Sequence, residues 1–269
     1  MTFADTQRRS EENRISPVFW VLLATLATSA WAVVSGYGSA RFGVFLFVVS
    51  GWMVSLCLHE YAHARTAMHS GDITIGAKGY LTLNPFKYAH ALLSFVLPVI
   101  FVIMGGIGLP GGAVYIERHR IRGRLKHSLI SAAGPLVNVL FGVALLVLVS
   151  SGVFDDPDRP AVLDGQQLIV SAFPAALGFL AFLQVSASLL NLLPIPGLDG
   201  YGIVEPWLSP RTRRAIEPFA PYGMLAVFVI FWQTSVGQWF SDLVFSIIRL
   251  FGVSEAYPVV GQYLFRFWQ

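Results

Sequence analysis

Residues 51–63 read GWMVSLCLHEYAH, an apolar run that ends in an H-E-x-x-H pattern. A run this apolar is typical of a membrane-spanning helix. Positions i and i+4 of a helix lie on one face, so His59 and His63 point the same way and can bind one metal ion. Glu60 is next to the first histidine, where it can accept a proton from a water molecule that the metal activates. The pattern predicts hydrolytic chemistry inside a bilayer, and the alternative is a polar cluster at a helix end.

The composition of the whole chain indicates a polytopic membrane protein. Hydrophobic residues make up 55% of the 269 residues, charged residues make up 12%, and the mean hydropathy is +0.64. We expect an all-α fold with about six transmembrane helices, because several runs have the length and hydropathy of a membrane helix. The candidate spans are 17–36, 41–63, 128–151, 170–193, 221–236 and a weaker run at 239–252.

The first span has some features of a cleavable signal peptide, since small residues follow its apolar stretch. Glu11 and Glu12 precede it, and the tail before it is long and mixed in charge, which favours an uncleaved helix. The single cysteine, Cys57, excludes an intramolecular disulfide and is interpreted as a small packing residue.

Residues 91–110 decide the predicted topology. Proline and glycine interrupt this apolar segment at Pro98, Gly105 and Gly106, so we interpret it as re-entrant rather than spanning. The N-terminal tail then lies on the same membrane side as three loops, and these four segments together contain 14 Lys and Arg. The loops on the other side contain only Arg41 and Arg159. The positive-inside rule predicts that the first side is cytoplasmic. These three loops are 64–90, 110–127 and 194–218.

A second polar motif, NLLPIPGLDG at residues 191–200, follows the span 170–193. Its two prolines end the helix, and the following turn presents Asp199. Alone, an Asp-Gly pair is only a turn, but the predicted topology puts Asp199 on the same membrane side as the two histidines. Two histidines and one carboxylate leave the fourth position of a zinc ion open, which is typical of a catalytic site.

These motifs together resemble the site-2 protease family of intramembrane zinc metalloproteases. The resemblance covers about residues 41–205 and includes AGPLVN at 133–138 and LTLNP at 81–85. It implies one zinc ion per chain. The implied site has His59, His63 and Asp199 as zinc ligands, Glu60 as general base, and Asn191 and Asn138 lining the active-site cleft. Asn191 would hold the substrate backbone.

The resemblance also implies a domain plan. We predict a cytoplasmic N-terminal tail at 1–16, a membrane-embedded metalloprotease domain at 17–252 with its core at 41–205, and a C-terminal tail at 253–269. The chain lacks the PDZ or CBS domain of other members, so it is expected to be a compact member. We expect a multi-pass protein of the cell membrane whose N-terminus and active-site opening face the cytoplasm.

Two short runs, 79–83 and 112–116, have the alternation and the β-branched or aromatic content of strands. They predict short cytoplasmic β-hairpin-like pieces, which either pair with an unwound substrate or merely cover the site. The basic run at 118–126 is interpreted as a patch that faces anionic lipid, not nucleic acid.

The expected partners are therefore transmembrane protein substrates and the lipid bilayer, with no prediction of oligomeric state. Two other functions fit parts of the pattern. A catalytically silent scaffold or chaperone that binds zinc or clients would not need Glu60, and a metal-ion transporter would carry ionisable residues along several spans. The intact Glu60 and the concentration of polar residues at one membrane side favour the protease.

Overall fold

The computed structural model describes residues 14–88, 114–156, 158, 160–163, 166–223, 226–227, 229–230 and 235–269. The described helices are α1 Pro17–Ser35, α2 Ala40–Ser70, α3 Thr74–Ala77, α4 Arg124–Ser150, α5 Ala172–Asn191, α6 Asp199–Val204, α7 Pro210–Ile216, α8 Val236–Leu250 and α9 Ala256–Phe265. Single 3-10 turns or short 3-10 helices cover Tyr80–Thr82, Pro85–Lys87, Arg118–Arg120, Glu205–Trp207 and Glu217–Tyr222.

Four of these helices, α1, α2, α4 and α5, are long and apolar enough to cross a membrane. They correspond to the first four predicted spans, and the helical fold class is confirmed. The count of about six spans stays a prediction. The run 239–252 lies in α8, whose 15 residues are fewer than the roughly 20 that a span needs. The run 221–236 lies partly, and the segment 91–110 wholly, outside the described residues.

Local sequence sets where the first two helices begin and end. Ser16 caps α1 by accepting a hydrogen bond from the backbone N–H of Val18, and Ser39 caps α2 in the same way. Both helices end at a glycine with positive φ, Gly36 and Gly71, a conformation that glycine adopts without steric cost. The metal-binding pattern therefore lies in the last half of one continuous 31-residue helix.

Helix α5 is the centre of the molecule. It packs against α2, α4 and α9, and almost all of its side chains are buried. In contrast, α1 and α4 expose large apolar side chains on their outer faces, including Trp20, Trp31 and Leu140. An exposed apolar face on a membrane-length helix is the surface expected to contact lipid.

The residues that we assigned to a C-terminal tail contain a packed helix. Leu264 and Phe265 of α9 are buried in the main core, and Gly178 and Gly261 let α9 approach α5 closely. A Cβ on Gly178 would lie 2.7 Å from the Cβ of Tyr257. Residues 256–265 are therefore part of the helical core.

The predicted strand at 79–83 is wrong. Gly79 and Leu83 both have left-handed backbone conformations, with φ of 73° and 55°, and the residues between them form a 3-10 turn. At 112–116, residues 114–116 form no strand, and 112–113 lie outside the described residues. The sheet that the structure does describe is an antiparallel pair, β1 Pro160–Leu163 and β2 Gln166–Ser171, in the loop between α4 and α5.

Candidate metal centre

His59 and His63 are one turn apart on α2 and face the same buried space. Their exposed fractions are 4% and 6%, and their Nε2 atoms are 3.1 Å apart. Asp199, the first residue of α6, completes the group. Its Oδ2 is 3.3 Å from the Nε2 of His59, and its Oδ1 is 3.3 Å from the Nε2 of His63. Three residues predicted from two separate motifs therefore meet at one point.

These separations fit a zinc ion. Zinc bound tetrahedrally, with bonds to nitrogen and oxygen of about 2.0–2.1 Å, has ligand atoms about 3.3–3.4 Å apart. The distance between the two Nε2 atoms, and the distance from each Nε2 to its nearer Asp199 oxygen, lie close to that value. One carboxylate and two imidazoles occupy three positions, so the fourth stays open for water or substrate.

The other ring nitrogen of each histidine is held by the protein. His59 Nδ1 donates a hydrogen bond of 2.6 Å to Asn138 Oδ1, and His63 Nδ1 donates one of 2.7 Å to the backbone carbonyl of Ile130. With the proton on Nδ1, each Nε2 presents its lone pair to the shared space. This arrangement is the one that metal-bound histidines adopt in proteins.

Asp199 is brought to the histidines by the way α6 docks on α4. The hydroxyl of Ser128 donates to the carbonyl of Ile203 at 2.6 Å, and Trp207 Nε1 donates to the same hydroxyl at 2.9 Å. The carboxylate of Asp199 supplies an oxygen ligand and a negative charge, both of which suit a bound cation.

Glu60 lies beside this group and is 2% exposed. Its Oε1 is 3.9 Å from the Nε2 of His59. Its Oε2 is buried and has no hydrogen-bond partner within the described part of the chain. A buried carboxylate oxygen without a partner is costly in a folded protein and indicates a place for a bound group or water.

A cavity of about 840 Å³ opens in front of the metal group. Glu60, His59, His63, Asp199 and Asn191 contribute to its wall, as the resemblance implied for Asn191. Asn138 does not line it among the described residues. The structure instead places Asn138 behind the ring of His59.

The far wall of the cavity is the segment 114–119, which ion pairs hold in place. Glu117 accepts hydrogen bonds from Arg120 at 2.5 Å and from Lys78 at 3.2 Å, and these lower the pKa of its carboxyl to about 2. The backbone N–H of Glu117 donates to the buried Asp72 at 2.8 Å. Arg118 pairs with Glu205 across the cavity, so this wall is fixed on both sides.

Gly134 has a role that sequence reasoning missed. A Cβ built on Gly134 would lie 2.5 Å from the Nε2 of His59 and closer still to the Nε2 of His63. Only glycine at this position of α4 leaves room for a metal ion. Gln184, a buried residue of α5 that accepts from Asn138 Nδ2 at 3.1 Å, was missed as well. Its signal in the sequence is an amide inside the apolar run 170–193.

Comparison with known proteins agrees with this geometry. The chain is 43% identical over 259 residues to the protein named "Putative zinc metalloprotease Rip2" of Mycolicibacterium smegmatis, covering 95% of each chain. It is 42% identical over 262 residues to the protein of the same name from Mycobacterium tuberculosis, covering 96% of each. It is 31% identical over 200 residues to "Putative zinc metalloprotease YwhC" of Bacillus subtilis, covering 72% of this chain and 83% of that protein. The chain belongs to the site-2 protease family.

Membership of this family confirms the resemblance that the sequence predicted, and the relatives are consistent with a compact member. The names of the relatives support a metalloprotease and imply zinc, which the His59, His63 and Asp199 group fits. The relatives and the four membrane-length helices together indicate a membrane protein. No family model and no solved structure matches the chain.

Proposed function

We propose that this site-2 protease hydrolyses peptide bonds in or near the transmembrane segments of membrane-protein substrates. One observation carries the proposal. Three candidate ligand atoms and a buried carboxylate converge on one side of a cavity, and all of these residues except Asp199 lie on a helix long enough to cross a bilayer. His63 is seven residues before the end of α2, or about 10 Å along the helix at 1.5 Å per residue. The proposed chemistry therefore lies inside the membrane but near one surface.

We assign His59, His63 and Asp199 as the ligands of one zinc ion and Glu60 as the general base. Zinc in such a site supplies Lewis acidity, which activates water near neutral pH and polarises a carbonyl. Glu60 takes the proton of the attacking water on its unpartnered Oε2 and delivers it to the leaving amine. The lack of any other hydrogen bond to that oxygen among the described residues supports this assignment, since the oxygen can accept a proton without losing a bond.

The substrate must be extended when it reacts, because the backbone carbonyls of a helix are already hydrogen-bonded. The cavity in front of the metal group has room for an unwound peptide segment. Asn191 lies in its wall, at the last residue of α5, and we assign its amide to hydrogen-bond the substrate backbone. The wall segment 114–119 lies opposite and limits the width of the cavity.

We further propose a multi-pass location in the cell membrane, with the N-terminus and the cavity facing the cytoplasm. The excess of Lys and Arg in the loops on the cavity side supports this orientation. The silent scaffold is the second candidate function. It needs the metal ligands but not Glu60, and a buried carboxylate with a free oxygen beside the site favours catalysis.

Glu60→Gln tests the proposal. The amide cannot accept the proton, but no metal ligand is lost, so cleavage of a membrane-embedded reporter should fall by about 10²- to 10⁴-fold while zinc content stays unchanged. Asp199→Ala should lose both zinc and cleavage. Glu255→Gln, which neutralises a carboxylate on the surface far along the chain, is the matched control and should behave like the native protein.

Purified full-length protein in detergent, with zinc measured by elemental analysis, separates the outcomes. Native cleavage by the Glu60→Gln protein would contradict the assignment of the base. Full zinc content in the Asp199→Ala protein would contradict the assignment of the ligands. A native protein that binds zinc but cleaves no membrane-embedded reporter would favour the scaffold.

A further inference from the structure

We propose that Gln184 is a positioning residue for the metal site. Acting through Asn138, it holds His59 in the orientation and tautomer in which Nε2 faces the metal. The inference rests on the proposed function, because it concerns the same zinc ligand. It assigns a role to a residue of α5 that touches neither the cavity nor the metal.

Four side chains from three helices form one hydrogen-bonded chain, here called the Gln184 relay. Ser55 of α2 donates to Gln184 Oε1 at 2.6 Å, and Asn138 Nδ2 of α4 donates to the same oxygen at 3.1 Å. Asn138 Oδ1 then accepts from His59 Nδ1 at 2.6 Å. All four residues are at most 5% exposed, so water does not compete for these bonds.

The orientation of the Gln184 amide determines which atom donates and which accepts in each hydrogen bond of the relay. Because Oε1 of Gln184 is an acceptor, Asn138 must turn its NH₂ group towards it and its oxygen towards His59. The His59 proton then lies on Nδ1, which leaves the Nε2 lone pair for a metal. If the Gln184 amide were reversed, Asn138 would present its NH₂ group to His59. The proton would move to Nε2, and His59 could no longer be a ligand through that atom.

This orientation leaves the NH₂ group of Gln184 without a hydrogen bond among the described residues. Gln184 is 0% exposed, and its Nε2 is buried without a hydrogen-bond partner among the described residues. A buried amide group without a partner is destabilising, and polar side chains inside membrane helices are rare unless they have a function. The large side chains near Gln184 on α5 that are about as buried, Leu180 and Leu183, are apolar. Packing alone would be met by another apolar side chain here.

Substitution at Gln184 separates positioning from packing. Gln184→Met keeps the length of the side chain but removes the acceptor, whereas Gln184→Glu keeps an oxygen at the position of Oε1. Ser186→Ala is the matched control, because it removes a different side-chain hydrogen bond on the same helix, the one of 2.7 Å to the carbonyl of Phe182. Zinc affinity of the purified full-length proteins is measured by competition with a chelator, and folding is followed by the thermal midpoint.

We expect Gln184→Met to weaken zinc binding by about 10- to 100-fold, the usual effect of losing a partner of a metal-bound histidine. Gln184→Glu should stay within about threefold of the native affinity, and Ser186→Ala should match the native protein. Cobalt(II) loaded in place of zinc reports the ligand geometry directly, and its visible spectrum should change in Gln184→Met only.

If Gln184→Met does not fold, Ser55→Ala provides the second test, since it removes one of the two donors that orient the amide. It should weaken zinc binding by a smaller factor. Native zinc affinity in a folded Gln184→Met protein, or in Ser55→Ala where Gln184→Met fails to fold, would overturn the positioning role and leave the proposed function intact. Absence of zinc binding by the native protein would overturn both.

Discussion

Gly134→Ala is the substitution whose effect follows most directly from the geometry of the metal centre. The new methyl carbon would lie 2.5 Å from His59 Nε2, and it would be nearer to His63 Nε2. Real Cβ contacts essentially never fall below 3.0 Å, so each nitrogen must move by 0.5 Å or more. Metal–ligand distances tolerate only about 0.2 Å. The methyl group also takes up the volume that the metal needs.

The expected loss of zinc affinity is at least about 100-fold, beyond the usual effect of losing an indirect partner of a ligand. At a free zinc concentration of 100 times the native Kd, zinc binding stabilises the native fold by about 2.7 kcal/mol. With a Kd weakened 100-fold, the same zinc concentration stabilises the variant by only about 0.4 kcal/mol. Thermal unfolding with and without zinc therefore measures the effect. The zinc-free midpoint, measured in the same experiment, gives the separate cost of moving the two rings against their Nδ1 hydrogen bonds.

Val139→Ile controls for adding a methyl group to this helix. Val139 is 38% exposed, so the added group lies on the outer face of α4. The control should keep its response to zinc. If Gly134→Ala gained as much stability from zinc as the native protein, the ligand positions described here would be wrong.

Three further predictions follow from other contacts. Ser128→Ala should weaken zinc binding about 10-fold in a chelator competition, because the position of Asp199 depends on the docking of α6. Native zinc affinity in this variant would contradict that dependence. The pKa of Glu117 is lowered to about 2, so its stabilising contribution is complete above the ordinary value of 4.5 and is lost as the pH falls from 4.5 towards 2. Hydrogen-exchange protection of residues 114–121, relative to the intrinsic exchange rate at each pH, should fall over that range in the native protein, and Glu117→Gln should remove this change. Cysteine labelling should place a residue beside Lys78 in the cytoplasm and one beside Asp156 outside, and labelling on the same side would contradict the proposed topology.

The meeting of His59, His63 and Asp199 was predictable in part, because each residue lies in a motif that the sequence shows. The spacing of His59 and His63 on a helix determines that they share a face. Asp199 needed a topological argument, since nothing local connects residue 199 with residue 59. That argument gave the observed meeting of the three ligand atoms, although the segment 91–110 on which it depended lies outside the described residues.

Other features depend on contacts between distant segments and could not be derived from local patterns. The run 79–83 alternates like a strand, but positive φ angles at Gly79 and Leu83 turn the chain. The role of Gly134 depends on how near α4 approaches α2, which no pattern within α4 reveals. Asn138 looked like a cleft residue by resemblance, yet its hydrogen bond to His59 turns it away from the cavity.

The packing of α9 against α5 has a consequence for how the protein is made. Every proposed zinc ligand and every member of the Gln184 relay has been synthesised by residue 199, whereas the core around α5 needs residues 256–265. At roughly 5–20 residues per second, the ribosome takes about 3 to 13 s to cover that interval. The nascent chain therefore contains all of the proposed ligand residues for seconds before Leu264 and Phe265 are synthesised and can pack into the core. Synthesis of the last proposed zinc ligand and synthesis of the helix that completes the core are therefore separated in time.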